Sequence, residues 1–399
     1  MFSELIHILS FIFYLYLAVS TLYFLVLAVA GKFFKQVVFQ TYKHKKKIAV
    51  LIPAYREDDI IVHTVQKACR QNYPEFFFKV VVIADSLTNQ TLEELRLMPI
   101  RLLEAKFEIS TKAKSLNIAL QSLVPDQFEV AVILDADNIM SDDFLEKINS
   151  AIHNGYKAIQ CRRLAKNKDN PVAMLGAVSE EININLFRRG QVALGFSAAP
   201  LGSGMAFDFN LLKEIFSLSH ILENAGEDRE IDIQLLKRKI FMHYTDDAYV
   251  FDEKVSNSRG FERQRVRWFE AQWNNARRFF KPDMMGEPKT IAYFNKFFQT
   301  LVLPRLLYFT VFILFFLVFV FQQIFQANLI YPSIIWWIAC LTTYIFVLFI
   351  SIPSKYFTVK LLKAMVYIPV LMIFMVKAVL KMKDRRKGFI HTSKSFVEK

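Results

Sequence analysis

The 399-residue sequence contains only three cysteines, Cys69, Cys161 and Cys340, and their spacing fits neither a disulfide pair nor a metal site. A disulfide-based fold is therefore excluded, and a reduced compartment is favoured. The sequence also has no RNA- or DNA-binding motif and no internal repeat. Its net charge of +13 therefore indicates contact with anionic lipid or with a phosphorylated ligand rather than with nucleic acid.

Residues 5–30 contain no Asp, Glu, Lys or Arg. This run is long enough to cross a bilayer and too long for the core of a signal peptide. No Lys or Arg precedes it, whereas a group of lysines follows it: Lys32, Lys35, Lys43, Lys45, Lys46 and Lys47. The positive-inside rule therefore predicts that the chain enters the cytoplasm at about residue 32.

The next two hundred residues or so have the composition of a soluble α/β domain. Short apolar runs predict strands buried on both faces, and amphipathic segments between them predict helices. An alternation of this kind is typical of a parallel sheet covered on both sides. The predicted strands are 48–53, 80–84 and 130–134, and the predicted helices are 58–70, 88–97 and 111–123.

The strand predicted at 130–134 runs directly into Asp135 and Asp137. If extended geometry continues through Ala136, both carboxylates lie on one face and can bind a divalent cation whose shell a diphosphate completes. The alternative is that both are turn residues or helix caps. Tyr55 and Asp85 follow two other predicted strands, and ligands of parallel sheets bind at these strand ends.

Two further groups of residues are candidates for the site. Glu227 and Asp228 open an amphipathic stretch at 230–239, where they can either act chemically or simply cap the helix. If residues 261–280 are helical, Gln264, Arg267 and Trp268 share one face. Arg267 can then bind a phosphate and Trp268 can stack on a sugar, although an amphipathic helix lying on the membrane is an alternative explanation.

The C-terminal third is apolar again. Candidate membrane spans are 306–323, 330–352 and 362–380, preceded by an interfacial segment at 291–303. Three crossings would leave the basic residues after 381 outside the cell, which the positive-inside rule opposes. The number of crossings therefore stays open at this point.

Taken in order along the chain, these segments resemble the motifs of membrane-embedded family 2 glycosyltransferases, which include the cellulose, chitin and hyaluronan synthases. Short motifs recur by accident, but six in one order are specific. The matching segments are Ile52-Pro53-Ala54-Tyr55-Arg56-Glu57, Ala84-Asp85-Ser86, Lys112-Ala113-Lys114-Ser115-Leu116-Asn117, Asp135-Ala136-Asp137, Glu227-Asp228 and the QxxRW segment from Gln264 to Trp268.

The resemblance implies a GT-A-like α/β domain with a parallel, nucleotide-sugar-binding sheet, inserted between transmembrane helices of an integral protein of the bacterial inner membrane. The implied divisions are a first transmembrane helix at 1–31, a cytoplasmic glycosyltransferase domain at 32–285, interfacial and transmembrane helices at 286–381, and a basic tail at 382–399. Since four spans are few for a wide channel, a short product or a homo-oligomer is expected.

The implied activity is inverting transfer from a nucleotide-diphosphate sugar, either a UDP-hexose or a UDP-N-acetylhexosamine, to build a β-linked poly- or oligosaccharide. Asp228 is the implied general base, with Glu227 beside it, and Asp137 and Asp135 hold Mg²⁺ or Mn²⁺. Arg263 or Arg265 is expected to assist Arg267 at the diphosphate. The implied nucleotide-sugar-binding residues are Pro53, Ala54, Tyr55, Glu57, Asp85, Lys112, Asp135, Gln264, Arg267 and Trp268.

The sequence also departs from the family's pattern. The segment Ser86-Leu87-Thr88 lacks the acidic-acidic-Gly-Ser form of many synthases, and the acceptor-side segment that begins at Gly202 matches loosely. Both segments lie where the donor sugar and the acceptor are recognised, so the resemblance does not identify either of them. A carbohydrate or a lipid-linked acceptor therefore remains open, together with two alternatives: single-sugar transfer to a lipid, and a non-catalytic accessory subunit that contacts membrane lipids.

Overall fold

The computed structural model describes residues 2–124, 127–223, 226–326 and 330–382. Its eight strands form one sheet in the order β3-β2-β1-β4-β7-β6-β8-β5. The strands are β1 Ile48–Tyr55, β2 Phe78–Asp85, β3 Arg101–Ala105, β4 Val130–Ile133, β5 Ile139–Met140, β6 Ala158–Ala165, β7 Met205–Asp208 and β8 Met242–Asp252.

Helices connect and flank these strands. The described helices of the α/β part are α2 Asp58–Ala68, α3 Asn89–Arg96, α4 Lys112–Ser122, α5 Phe144–His153, α6 Pro171–Ile184, α7 Gln191–Ala193, α8 Phe209–Phe216, α9 Ser219–Leu222, α10 Glu227–Lys237, α11 Ser258–Arg278 and α12 Pro282–Met285. The apolar helices are α1 Phe2–Lys32, α13 Ile291–Leu301, α14 Arg305–Ile324, α15 Ile334–Ser351, α16 Val359–Met365 and α17 Ile368–Leu380.

The first four sheet positions confirm the predicted parallel arrangement. β2 and β4 both pair in parallel with β1, and β3 pairs in parallel with β2. Alternate residues of β1 are buried in different clusters, with Val50 and Ile52 on one face and Ala49 and Leu51 on the other. Continuous apolar runs are therefore explained by burial on both faces.

The other half of the sheet is mixed, so the predicted parallel arrangement holds there only for one pair of strands. β7 lies antiparallel between β4 and β6, and β5 is antiparallel to β8, while β6 and β8 are parallel. These strands carry charged and polar residues, among them Arg162 and Arg163 of β6, so they lack the continuous apolar pattern that revealed the first strands.

Three described helices are long and apolar enough to cross a membrane, namely Glu4–Lys32, Arg305–Ile324 and Ile334–Ser351. The candidate span at 362–380 consists of two helices, α16 and α17, bent by 48°. Pro369 explains the break, because it has no N–H and its ring clashes with the carbonyl one turn earlier. The bent pair is compatible with a broken span or with a re-entrant loop.

The apolar helices pack directly on the α/β domain. A Cβ at Gly190 would lie 2.3 Å from the Leu27 carbonyl oxygen, so only glycine allows α1 to approach the π-helical segment Asn185–Gly190 this closely. On the other side, Val266 and Phe269 of α11 pack with Leu371 of α17. These two contacts position the lower wall of the cavity described next.

Candidate functional site

A single cavity of about 500 Å³ extends from the strand ends to the apolar helices. It is lined by every residue that the sequence predicts for the site except Arg263, the alternative to Arg265 as a helper of Arg267. Its upper part, hereafter the strand end, is lined by Tyr55, Asp85, Lys112, Asp135, Asp137, Gly202, Glu227 and Asp228. Its lower part, hereafter the membrane end, is lined by Phe24, Arg188, Phe261, Arg265, Leu303, Pro304 and Arg305.

At the strand end, β1 and β2 stop side by side. Tyr55 is the register partner of Asp85, and each is followed by a residue with positive φ, Arg56 at 54° and Ser86 at 59°. Such a conformation is uncommon for residues other than glycine, and it turns both chains sharply away from the sheet. Asp85 is only 1% exposed, and its Oδ2 has no hydrogen-bond partner within the described part of the chain.

Asp135 and Asp137 lie in a turn. Because β4 ends at Ile133 and Ala136 and Asp137 form the turn, the premise of extended geometry through Ala136 is wrong. The Asn138 N–H donates to the Asp135 carbonyl oxygen at 3.0 Å, and the Asp135 N–H donates to Ser203 Oγ at 2.9 Å. The turn still brings both residues to the cavity wall.

Lys112, the first residue of α4, connects the predicted groups. Its Nζ donates to the Asp135 carboxylate and, at 2.6 Å, to the Gly202 carbonyl oxygen, and it lies 3.4 Å from Glu227 Oε1. Burial lowers the pKa of the Lys112 ammonium, but Asp135 and Glu227 outweigh that effect and raise it. Lys112 is therefore a fixed positive charge at this end.

Glu227 and Asp228 open α10 and converge on Gly202. A Cβ at Gly202 would lie 3.9 Å from Asp228 Oδ2, 3.9 Å from Glu227 Oε1 and 3.8 Å from Lys112 Nζ. Burial and the neighbouring Asp228 raise the pKa of Glu227 to about 6, although Lys112 opposes this rise. The helix start predicted for the pair is confirmed; the N-cap residue is Gly226, which has no side-chain cap.

α11 brings Gln264, Arg267 and Trp268 to the cavity, and its opposite side packs on α17. The apolar side of this helix thus packs on another helix of the chain, and whether it also lies on a membrane stays a prediction. The Arg265 guanidinium lies 4.0 Å from the Trp268 ring centroid, so one face of the indole is already covered.

The residues of the strand end are suited to bind a divalent cation whose coordination shell is completed by a substrate. Within the described segments, no group of three or more His, Cys, Asp and Glu side chains forms a cage for a metal. Mg²⁺, however, is commonly bound by one or two carboxylates together with substrate phosphates. Asp137 and Asp135 supply such carboxylates, and the buried, unbonded Oδ2 of Asp85 adds to the negative charge nearby.

Sequence reasoning missed the charged residues of the membrane end and of the wall beside it. They have no short motif, because they come from separate elements. Two signals were available, namely charged residues inside otherwise apolar stretches and an arginine at the start of an apolar span. The missed residues are Arg163, Glu180, Arg188, Asp252, Lys254 and Arg305.

Comparison with solved structures identifies the fold. A mannosyltransferase from Pyrobaculum calidifontis, solved with GDP-Man and Mn²⁺, has a TM-score of 0.58 and 16% identity, and the match covers 95% of this chain and 98% of that one. Staphylococcus aureus TarS matches at 0.40 with 16% identity over 59% and 40% of the two chains, and its fragment 1–349 at 0.41 with 15% identity over 85% and 93%.

Of these three, only the mannosyltransferase is similar enough to identify the architecture. It is a GT-A-like α/β fold with a mostly parallel sheet. No curated protein matches the chain. A family model described as "Glycosyltransferase like family 2" matches residues 44–271, which is more than half of the chain and includes the sheet, α10 and most of α11. The chain therefore belongs to glycosyltransferase family 2, and the protein is a glycosyltransferase.

Proposed function

We propose that the protein is an inverting membrane glycosyltransferase that moves a sugar from a nucleoside diphosphate to an acceptor hydroxyl. The observation that carries this proposal is the convergence of Lys112, Glu227 and Asp228 on Gly202, in the cavity that Asp135 and Asp137 also line. A cation, a general base and candidate metal ligands are the groups that this transfer requires.

Asp228 acts as the general base. It takes the proton from the acceptor hydroxyl while the hydroxyl oxygen attacks the anomeric carbon. The bond from that carbon to the nucleoside diphosphate breaks on the opposite side, so the configuration inverts. Arg267, which lines the same cavity, contributes positive charge to the departing diphosphate.

Asp137 and Asp135 hold Mg²⁺ or Mn²⁺ in this proposal, and the ion neutralises charge on the leaving group. Pro53, Ala54, Tyr55, Glu57 and Asp85, which line the strand end, bind the nucleotide. Gln264, Arg267 and Trp268 close the site from α11. The donor is a UDP-hexose or a UDP-N-acetylhexosamine.

The product expected from the QxxRW segment is a β-linked poly- or oligosaccharide. A specific observation favours a second candidate, the transfer of one sugar to a lipid-linked acceptor. The cavity reaches Phe24 of α1 and Leu303 beside α14, so an acceptor anchored in the bilayer can enter from below. In either case we place the protein in the bacterial inner membrane with the α/β domain in the cytoplasm.

The test is release of nucleoside diphosphate by the purified full chain in nanodiscs. The panel contains UDP-glucose, UDP-N-acetylglucosamine and GDP-mannose, each with Mg²⁺, with Mn²⁺ or with a chelator. We expect release from one donor that depends on the metal, and product length then separates a polymer from a single addition. No release from any donor would contradict the proposed reaction.

A further inference from the structure

The membrane end contains three arginines, Arg188, Arg265 and Arg305. In the described part of the chain, no carboxylate lies within 4 Å of any of them, because the nearby acids pair with other cations. Each arginine comes from a different element, namely the π-helical segment, α11 and α14. Arg188 is buried, and Arg265 and Arg305 are half-buried. Cations withdrawn from water without counterions are costly, so three of them in one cavity wall indicate that a ligand supplies the missing negative charge.

Two of the three have neutral partners only. Arg188 donates to the Pro200 carbonyl oxygen at 3.0 Å, and Arg305 donates to the Ser179 carbonyl oxygen at 2.8 Å and to Ser179 Oγ at 2.6 Å. These bonds fix the direction of the two guanidinium groups but leave their charge uncompensated.

Arg265 makes only ring contacts with the described residues. Its guanidinium lies 4.6 Å from the Phe261 ring centroid and 4.0 Å from that of Trp268, and its buried Nε has no hydrogen-bond partner there. A guanidinium between two aromatic rings keeps its donor edge available to a planar or tetrahedral oxyanion.

The nearest acid, Glu180, is already engaged. It pairs with Arg163 at 3.0 Å and with Lys254 at 3.2 Å, and Asp252 pairs with the same two cations at 3.4 Å and 2.7 Å. These four charges balance one another. The charges of the three arginines therefore remain unbalanced.

The pKa values of two of these arginines agree with the absence of a counterion. Burial, reinforced by Arg305 and only partly offset by Glu180, lowers the pKa of Arg265 to about 9. Burial also lowers the pKa of Arg188 to about 10, although Glu180 and Asp228 oppose the shift and Arg163 adds to it. Both groups remain charged at neutral pH. An anion bound between them would offset the free-energy cost of burying these charges.

Arg265 and Arg305 lie beside apolar residues rather than beside the predicted metal ligands. Phe261, which stacks on Arg265, packs with Val172, Leu371 and Met375, and Arg305 begins an apolar helix long enough to cross a membrane. The donor diphosphate belongs at the strand end with Asp135 and Asp137, where a divalent cation balances it. An anion at the membrane end therefore belongs to a second molecule, and its place beside apolar helices indicates a lipid headgroup.

We infer that the membrane end binds the phosphate of a membrane lipid whose attached sugar is the acceptor, with Arg265, Arg305 and Arg188 as the phosphate-binding groups. This inference rests on the proposed function. The hydroxyl of the lipid-linked sugar attacks the donor's anomeric carbon, Asp228 receives its proton, and the nucleoside diphosphate leaves with the electrons of the broken bond. The lipid phosphate is chemically unchanged, and it anchors the acceptor. Arg265, expected from the sequence to assist at the donor diphosphate, is thereby assigned to the acceptor.

The experiment measures binding to the purified full chain without any donor, so that it does not depend on turnover. The probe is polyprenyl-diphosphate N-acetylglucosamine in nanodiscs of neutral lipid, with native mass spectrometry as the readout. An alkyl glycoside of N-acetylglucosamine has the same sugar without phosphate, and inorganic diphosphate has the anion without lipid. The variants are Arg265→Gln and Arg277→Gln. Arg277 is also stacked on an indole of α11, 4.8 Å from the Trp273 ring centroid, but it is exposed and does not line the cavity.

We expect the phosphorylated lipid to bind, the alkyl glycoside and inorganic diphosphate to bind at least about tenfold more weakly, and Arg265→Gln to weaken lipid binding by about tenfold or more. Because Arg265 has no counterion, Arg265→Gln is also expected to keep or raise the melting temperature of the unliganded protein, which shows that it is folded. Arg277→Gln is expected to leave lipid binding unchanged.

Three outcomes would overturn the inference: equal binding of the alkyl glycoside, equal binding of free inorganic diphosphate, or unchanged lipid binding in Arg265→Gln. The last result would return Arg265 to the donor diphosphate. Nucleotide release with unchanged lipid binding in Arg265→Gln would leave the glycosyltransferase reaction intact and reject only the lipid phosphate.

Discussion

The two ends of the cavity carry opposite charge. At the strand end, Lys112 is surrounded by Asp135, Glu227 and Asp228, with Asp85 and Asp137 nearby, so carboxylates are in excess. At the membrane end, arginines are in excess. A cavity with this polarity suits two charged ligands, a cation that arrives with the donor and an anion that arrives with the acceptor. Unbalanced buried charge thus marks where a ligand completes the structure.

The largest effect is expected for Asp228→Asn, which tests whether one acid of the strand end performs chemistry. Loss of a general base lowers transfer by about 10²–10⁴-fold, while donor affinity stays nearly unchanged. Nucleotide release and donor titration measure the two quantities. Asp169→Asn, which alters an exposed acid outside the cavity, is the control. Undiminished turnover in Asp228→Asn would contradict the assignment of Asp228 as the general base, and the proposed chemical role of the strand end would fall with it.

Lys112→Met tests whether the strand end depends on its lysine for stability. The change leaves the buried carboxylate of Glu227 and the half-buried carboxylate of Asp135 without their cation, which costs about 3 kcal/mol, the lower end of the range for a buried pair. Lys114→Met is the matched control on the same helix, because the Lys114 partner, Glu223, has a side chain that is 68% exposed. That pair contributes about 0–1 kcal/mol. Denaturant unfolding in mixed micelles measures both variants, and equal losses would show that Lys112 is not the central charge.

Glu227 makes the strand end sensitive to pH. Its pKa rises from 4.5 in the unfolded chain to about 6 in the folded protein. Between these values the folded protein holds a proton that the unfolded chain releases, so the free energy of unfolding falls by about 2 kcal/mol as pH rises through this window. Glu227→Gln removes that fall. Melting temperatures from pH 4 to pH 7 provide the measurement, and identical pH profiles for the two proteins would contradict it.

The smallest effect separates backbone strain from site geometry. Gly202 has a φ of +83° and Gly195 a φ of +78°, so alanine at either position costs about 1–2 kcal/mol. A Cβ at Gly195 meets nothing within 4 Å, whereas a Cβ at Gly202 meets Lys112, Glu227 and Asp228. We therefore expect similar melting temperatures but a lower transfer rate only in Gly202→Ala. Equal activity would mean that the strand end tolerates a methyl group at its centre.

The sequence predicts the strand end much better than the membrane end for a physical reason. Strands β1, β2 and β4 are continuous apolar runs, and a parallel sheet brings the residues that follow them to one edge. Tyr55, Asp85 and Asp135 therefore come together by local pattern alone. The boundaries differ by only a few residues, as for β1, predicted at 48–53 and observed at Ile48–Tyr55.

The remaining features depend on tertiary packing. The turn at Ala136 replaces the predicted strand extension. Asn138, three residues further on, donates to the Asp135 carbonyl oxygen, and Ser203, which is distant in sequence, accepts from the Asp135 N–H. Arg188 of the π-helical segment and Arg305 of α14 reach the same cavity only in the folded chain. No periodic pattern in the sequence indicates that they share it. Sugar identity, metal binding, domain boundaries and orientation in the membrane remain predictions.

α11 has a practical consequence for anyone who purifies this enzyme. This helix presents Gln264 and Arg267 to the cavity and packs Val266 and Phe269 against α17. Any solubilising agent that loosens α17 is therefore expected to shift the two side chains proposed to bind the donor. Weak turnover in micelles should therefore be checked in lipid of graded acyl-chain length before a preparation is discarded as inactive.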